Sequence, residues 1–133
     1  MKNALDTIVA SLSKEEIRFF KLFLKRTDNK NRKDVDLFDL MRKKNSDFTT
    51  KEVLSKLKVN PNNYYQIKNR LYHELNNSVV WQHIWKDNQS KSFSYVLLAR
   101  VNKNKGELEL TFHYLKNAEK EAIDSELYEI LSI

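Results

Sequence analysis

His73, His83 and His113 are the side chains in this sequence best suited to proton transfer or metal ligation. None stands four residues from another, the helical spacing that sets two imidazoles on one face for a metal ion, so each reads as a surface or packing histidine. The carboxylates Glu107, Glu109, Glu119 and Glu121 lie in polar helical contexts with no His or Ser partner to divide acid and base roles, and read as solvated helix faces. Cysteine is absent, which excludes a thiol nucleophile, a Cys-based zinc or redox site and any disulfide. A single Gly cannot build a phosphate-cradling fingerprint, and no nucleophile elbow occurs. These residues predict a non-enzyme with no catalytic, cofactor-binding or metal site and no small-molecule substrate. Trp81 and Trp85, four apart, would make a ligand surface if exposed; at helical spacing their expected place is buried against the next helix pair.

The elements that carry these residues are predicted to be helical. One Gly and one Pro in 133 residues leave few of the backbone positions that hairpins require, while Leu, Lys, Glu and Asn abound. The apolar stretch Ala4–Ala10 is broken by Asp6 and too short for a signal-peptide core or a spanning helix. With no Cys, the expected location is the reducing cytoplasm. Of the net charge of +6, residues 1–70 carry 17 Lys/Arg against 9 Asp/Glu and the remainder 7 against 9. The basic excess therefore sits in the first half, where it suits either a solvated lysine-rich exterior or a surface for nucleic acid or acidic protein.

Leu5, Ile8, Val9 and Leu12 share one face of a short opening helix. Ser13 and Glu16 form a capping box for a second helix to about Arg26, whose wide apolar arc of Ile17, Phe19, Phe20, Leu22, Phe23 and Leu24 should be the hub of the local core. A polar linker, Thr27–Arg32, precedes a third helix with Val35, Leu37, Phe38, Leu40 and Met41, closed by the dipole-complementing cations Arg42, Lys43 and Lys44. Thr49 and Glu52 offer a second capping box, opening a short helix with Val53, Leu54 and Leu57 inward. Asn60 and Pro61 suit the N-cap and first position of a long helix lined by Tyr64, Ile67, Leu71, Leu75 and Val79. Asp87–Ser92 then breaks the pattern and marks the expected boundary between residues 1–86 and 93–133. Helical segments near 93–104 and 107–122 follow, and another is expected to start at Ser125. The pattern is still apolar at Leu131-Ser132-Ile133, which predicts a longer protein.

Tyr95, Leu98, Ala99, Gly106 and Ala118 have the spacing of a tetratricopeptide repeat, and Tyr128, Leu131 and Ser132 restart it 33 residues on. Residues 92–133 thus resemble one such repeat and the start of a second. Asn102 and Thr111 depart from it, standing where the family has an aromatic and an Ala. Residues 49–76 resemble a helix-turn-helix, with Lys58 in the place usually held by Gly, which demands positive φ of a residue with a Cβ. That resemblance implies Asn62, Asn63, Tyr65, Gln66 and Asn69 as base-edge candidates and Lys58, Lys68 and Arg70 as phosphate candidates.

The resulting expectation is an all-α chain: an amino-terminal helical bundle with a helix-turn-helix-like pair, leading into a tetratricopeptide-like hairpin. Its expected function is a non-catalytic scaffold or adaptor module that binds another protein, not a membrane. The alternative is a nucleic-acid-binding regulator using the helix-turn-helix-like segment.

Overall fold

The computed structural model describes residues 4–26, 32–44 and 47–131. The protein is all-α: seven α-helices and no strand occur among the described residues. By their internal contacts they form two compact units, Met1–Val79 and Val80–Ile133.

The first unit holds the closed core. Helix α1 (Ala4–Ser11) buries Leu5 and Val9. Helix α2 (Lys14–Leu24) begins at the expected box, with Glu16 N–H donating to Ser13 Oγ at 3.1 Å and Ser13 N–H donating to Glu16 Oε1 at 2.9 Å. It buries Phe20, Phe23 and Leu24, but Leu22, expected inside, is exposed, because the arc is narrower than the run of apolar letters suggests. Helix α3 (Lys33–Lys44) inserts Leu37 and Phe38 at the centre, where Phe38 meets Phe20 edge to face at 4.8 Å. Helix α4 (Thr50–Leu57) starts with Glu52 N–H donating to Thr49 Oγ1, the hydroxyl half of the second box. Helix α5 (Pro61–His83) is capped by Asn60, whose Oδ1 accepts from Asn63 N–H at 2.8 Å, and it buries Tyr64, Ile67, Leu71 and Leu75. Its next inward position is Ser78 rather than Val79, which is half-buried. The linker Thr27–Asn31 lies outside the described residues.

The second unit is built on a long hairpin. Helix α6 (Asn88–Asn104) starts within the segment expected to be a break, because Asp87 caps it: its carboxylate accepts from Ser90 N–H at 2.7 Å. Those hydrogen bonds hold the Asp87 carboxyl below the ordinary carboxylate range. The turn closes on Gly106 at φ +80°, a left-handed position open to glycine without strain. Helix α7 (Leu108–Leu131) runs unbroken past Ser125, where a new helix was expected. No Gly or Pro interrupts residues 119–131, so nothing in that stretch stops propagation. Ser132, which closes the restarted motif, lies outside the described residues, as does Ile133.

Candidate interaction surfaces

Small side chains bring α6 and α7 together: Ala99 and Ala118 are both buried, and Ser92 Oγ donates to the Ala118 carbonyl at 2.8 Å. Buried Asn102 and Thr111 return their polar groups to their own helices. Asn102 Nδ2 donates to Leu98 O at 2.8 Å and Thr111 Oγ1 to Glu107 O at 2.7 Å, so neither seeks a partner elsewhere. Tyr95 stacks on Tyr114 at 6.2 Å, and Trp85 meets Tyr95 edge to face at 5.3 Å.

Outside that contact line the hairpin leaves many large apolar side chains exposed among its charged ones. Phe93, Leu97, Leu108 and Phe112 are more than half exposed, and Val96, Val101, Leu110, Leu115 and Ile123 are exposed as well. The expected burial of the tryptophans fails: Trp81 is 61% and Trp85 47% exposed. On α6 and α7 the single contact line is already filled by small and aromatic residues, so bulky groups elsewhere on these two helices face water, whereas Trp81 stands near the end of α5 and Trp85 between α5 and α6. A cavity of about 350 Å³ opens beside Phe93 and Leu97, walled also by Val80, His83 and Ile84. On its floor, buried Ser94 donates its hydroxyl to Ser90 O at 2.9 Å.

The second surface surrounds the α4–α5 turn. Lys58 takes φ 57° and ψ 47°, the left-handed conformation the helix-turn-helix resemblance demands, and its N–H donates to Leu54 O as the C-cap of α4. Lys58, Asn62, Asn63, Tyr65, Gln66, Asn69 and Arg70 are all exposed, while Lys68 is half-buried with Nζ 4.6 Å above the Tyr64 ring. Burial, and secondarily Asp6, raises the Tyr64 phenol above its usual pKa, consistent with a core role for that ring. Asn62, Asn63, Tyr65, Gln66, Asn69 and Arg70 thus lie on the exposed side of α5 near its start, away from the core residues Tyr64, Ile67 and Leu71, while Lys58 caps α4 and Lys68 lies against Tyr64.

Sequence reasoning missed one charged site. Arg32 and Asp34 form a bidentate pair, with Arg32 Nε donating to Asp34 Oδ1 at 3.0 Å and Nη2 contacting the other carboxylate oxygen. The two side chains are 7% and 1% exposed, and Glu74 Oε1 lies 3.9 Å from Arg32 Nη2. The hydrogen bond to Asp34 raises the Arg32 pKa, with burial acting against it. The i, i+2 spacing at a helix start was the sequence signal, but it looks the same as any solvated first turn. His73 and His113 are exposed and His83 borders the cavity; no group of three metal-ligating side chains occurs among the described residues. Also among them, no helix is long and apolar enough to cross a membrane. Compared with protein-family models, curated proteins and solved structures, the chain has no match in any of the three.

Proposed function

We propose that this chain is a non-catalytic helical interaction module that binds protein through the α6–α7 hairpin. The observation that carries this reading is the set of large apolar side chains left exposed there, from Phe93 and Val96 to Phe112 and Leu115. Contiguous apolar surface of this kind marks a docking surface, since leaving it in water costs about 25 cal/mol per Å². The tetratricopeptide resemblance is supported by buried Ala99 and Ala118 and by the turn at Gly106, while the unbroken α7 departs from it. Immobilised protein should retain a partner that purified Phe93→Ser/Phe112→Ser protein binds at least about tenfold more weakly, with helicity by circular dichroism unchanged. Equal binding by both forms would sink this reading.

A second reading is favoured by the backbone at Lys58. Its left-handed turn, with exposed Asn63, Gln66 and Arg70 beyond it, supports a nucleic-acid-binding regulator using residues 49–76. A selected duplex should then bind about a thousandfold better than random DNA at physiological salt. Asn63→Ala and Gln66→Ala should relax its sequence preference, and Lys68→Ala should weaken all duplexes alike. Indifference to sequence would remove this alternative.

A further inference from the structure

We infer that the partner of the α6–α7 face is a second copy of this chain, paired about a two-fold axis that crosses the helices at the level of Val96 and Leu115; this rests on the interaction-module reading. The face follows from helix geometry. The contact line passes through Ser92, Tyr95 and Ala99 on α6 and through Thr111, Tyr114 and Ala118 on α7. The next residue on each helix lies about 100° further round. Turning in the same sense on two antiparallel helices leads to the same side of the pair. Phe93, Val96 and Arg100 therefore share one broad face with Phe112, Leu115 and Glu119, all of them exposed.

Charge on that face is ordered along its length. Arg100 and Lys103 lie toward the turn, Glu119 and Glu126 toward the open end, and the four large apolar groups between them. Lys116 and Lys120 sit on the outer side of α7, away from the contact line. With Ser92 opposite Ala118, Glu119 stands level with residue 91. It is then about 13 Å along the axis from Arg100, and the midpoint falls at Val96 and Leu115.

Opposite charges equidistant from an apolar centre match along the length when the surface is turned end for end, as a two-fold interface requires, which brings Arg100 level with the partner's Glu119 on the neighbouring helix, within reach of two long side chains. A partner of one sign would match only half of it. The hairpin is also large enough, because a face about 25 Å long and 20 Å wide projects about 500 Å², and the relief of its large side chains raises this toward the roughly 800 Å² per partner of specific dimers.

Sedimentation of the full chain over a range of concentrations tests the inference. The expected result is a reversible species of twice the 15.9 kDa chain mass. Phe112→Asp should abolish it, and Arg100→Glu should weaken it at least about tenfold by setting like charges together. The exchange Arg100→Glu/Glu119→Arg should restore it to within about threefold, with circular dichroism showing all variants equally helical. A chain that stays monomeric, a dimer indifferent to Arg100→Glu, or a failed exchange would overturn the dimer. A monomer whose separate partner is lost on Phe93→Ser/Phe112→Ser overturns self-association alone, whereas a monomer whose partner ignores that change overturns the interaction reading too.

Discussion

Arg32 and Asp34 place a charge pair at the edge of an apolar core, where each ion is tolerated because the other satisfies it. Asp34→Ala takes the nearest anion from a guanidinium only 7% exposed, so it should destabilise the protein by about 3 kcal/mol, with Glu74 at 3.9 Å offsetting part of the loss. Replacing both, as in Arg32→Met/Asp34→Leu, should cost less than about 1 kcal/mol, since no buried charge then lacks a partner. Denaturant titration separates the cases, and a double variant no better than Asp34→Ala would show that the pair is not the source of the cost. Asn102 and Thr111 teach the complementary lesson: a polar side chain is accommodated in a helix contact when its own backbone can take the hydrogen bond.

The short α4 ends at Lys58, and the left-handed backbone there carries strain that a glycine would not feel. Lys58→Gly should therefore stabilise the protein by about 0.5–1 kcal/mol, while Lys58→Val should destabilise it. Thermal melts of the two variants check this; a stabilised Val variant would mean that the turn is not held at positive φ. Caps decided the helix starts more firmly than apolar periodicity did. Ser13, Thr49 and Asn60 were legible as caps because an apolar pattern follows each, whereas Asp87 was not, since Asn88–Ser92 reads as polar loop until the tertiary contact of Ser92 with Ala118 is known. The continuity of α7 was hidden for the opposite reason, the restart of a motif at Tyr128 suggesting a break for which the backbone has no cause.

The two units should differ in stability. Phe38, Leu37, Leu71 and Leu75 are fully enclosed in the first, while α6 and α7 share one contact line and leave much apolar surface in water. Native-state hydrogen exchange should find amides near Leu37 and Leu71 opening only by global unfolding, and those of α6 and α7 opening earlier at low concentration. Raising the concentration should slow exchange along Phe93–Val101 and Leu108–Leu115 if association covers that face; uniform protection at all concentrations would refute the contrast. The all-α class and most of the first unit's core were determined by the sequence alone, because helical periodicity and caps are local properties that need no knowledge of neighbours. The tertiary structure alone decided that Leu22, Trp81 and Trp85 face water and that Arg32 and Asp34 do not. A periodic pattern states which residues share a face, but burial depends on whether another element arrives to cover it, and among the described residues of its own unit none covers the broad face of the α6–α7 hairpin that carries Phe93 and Phe112.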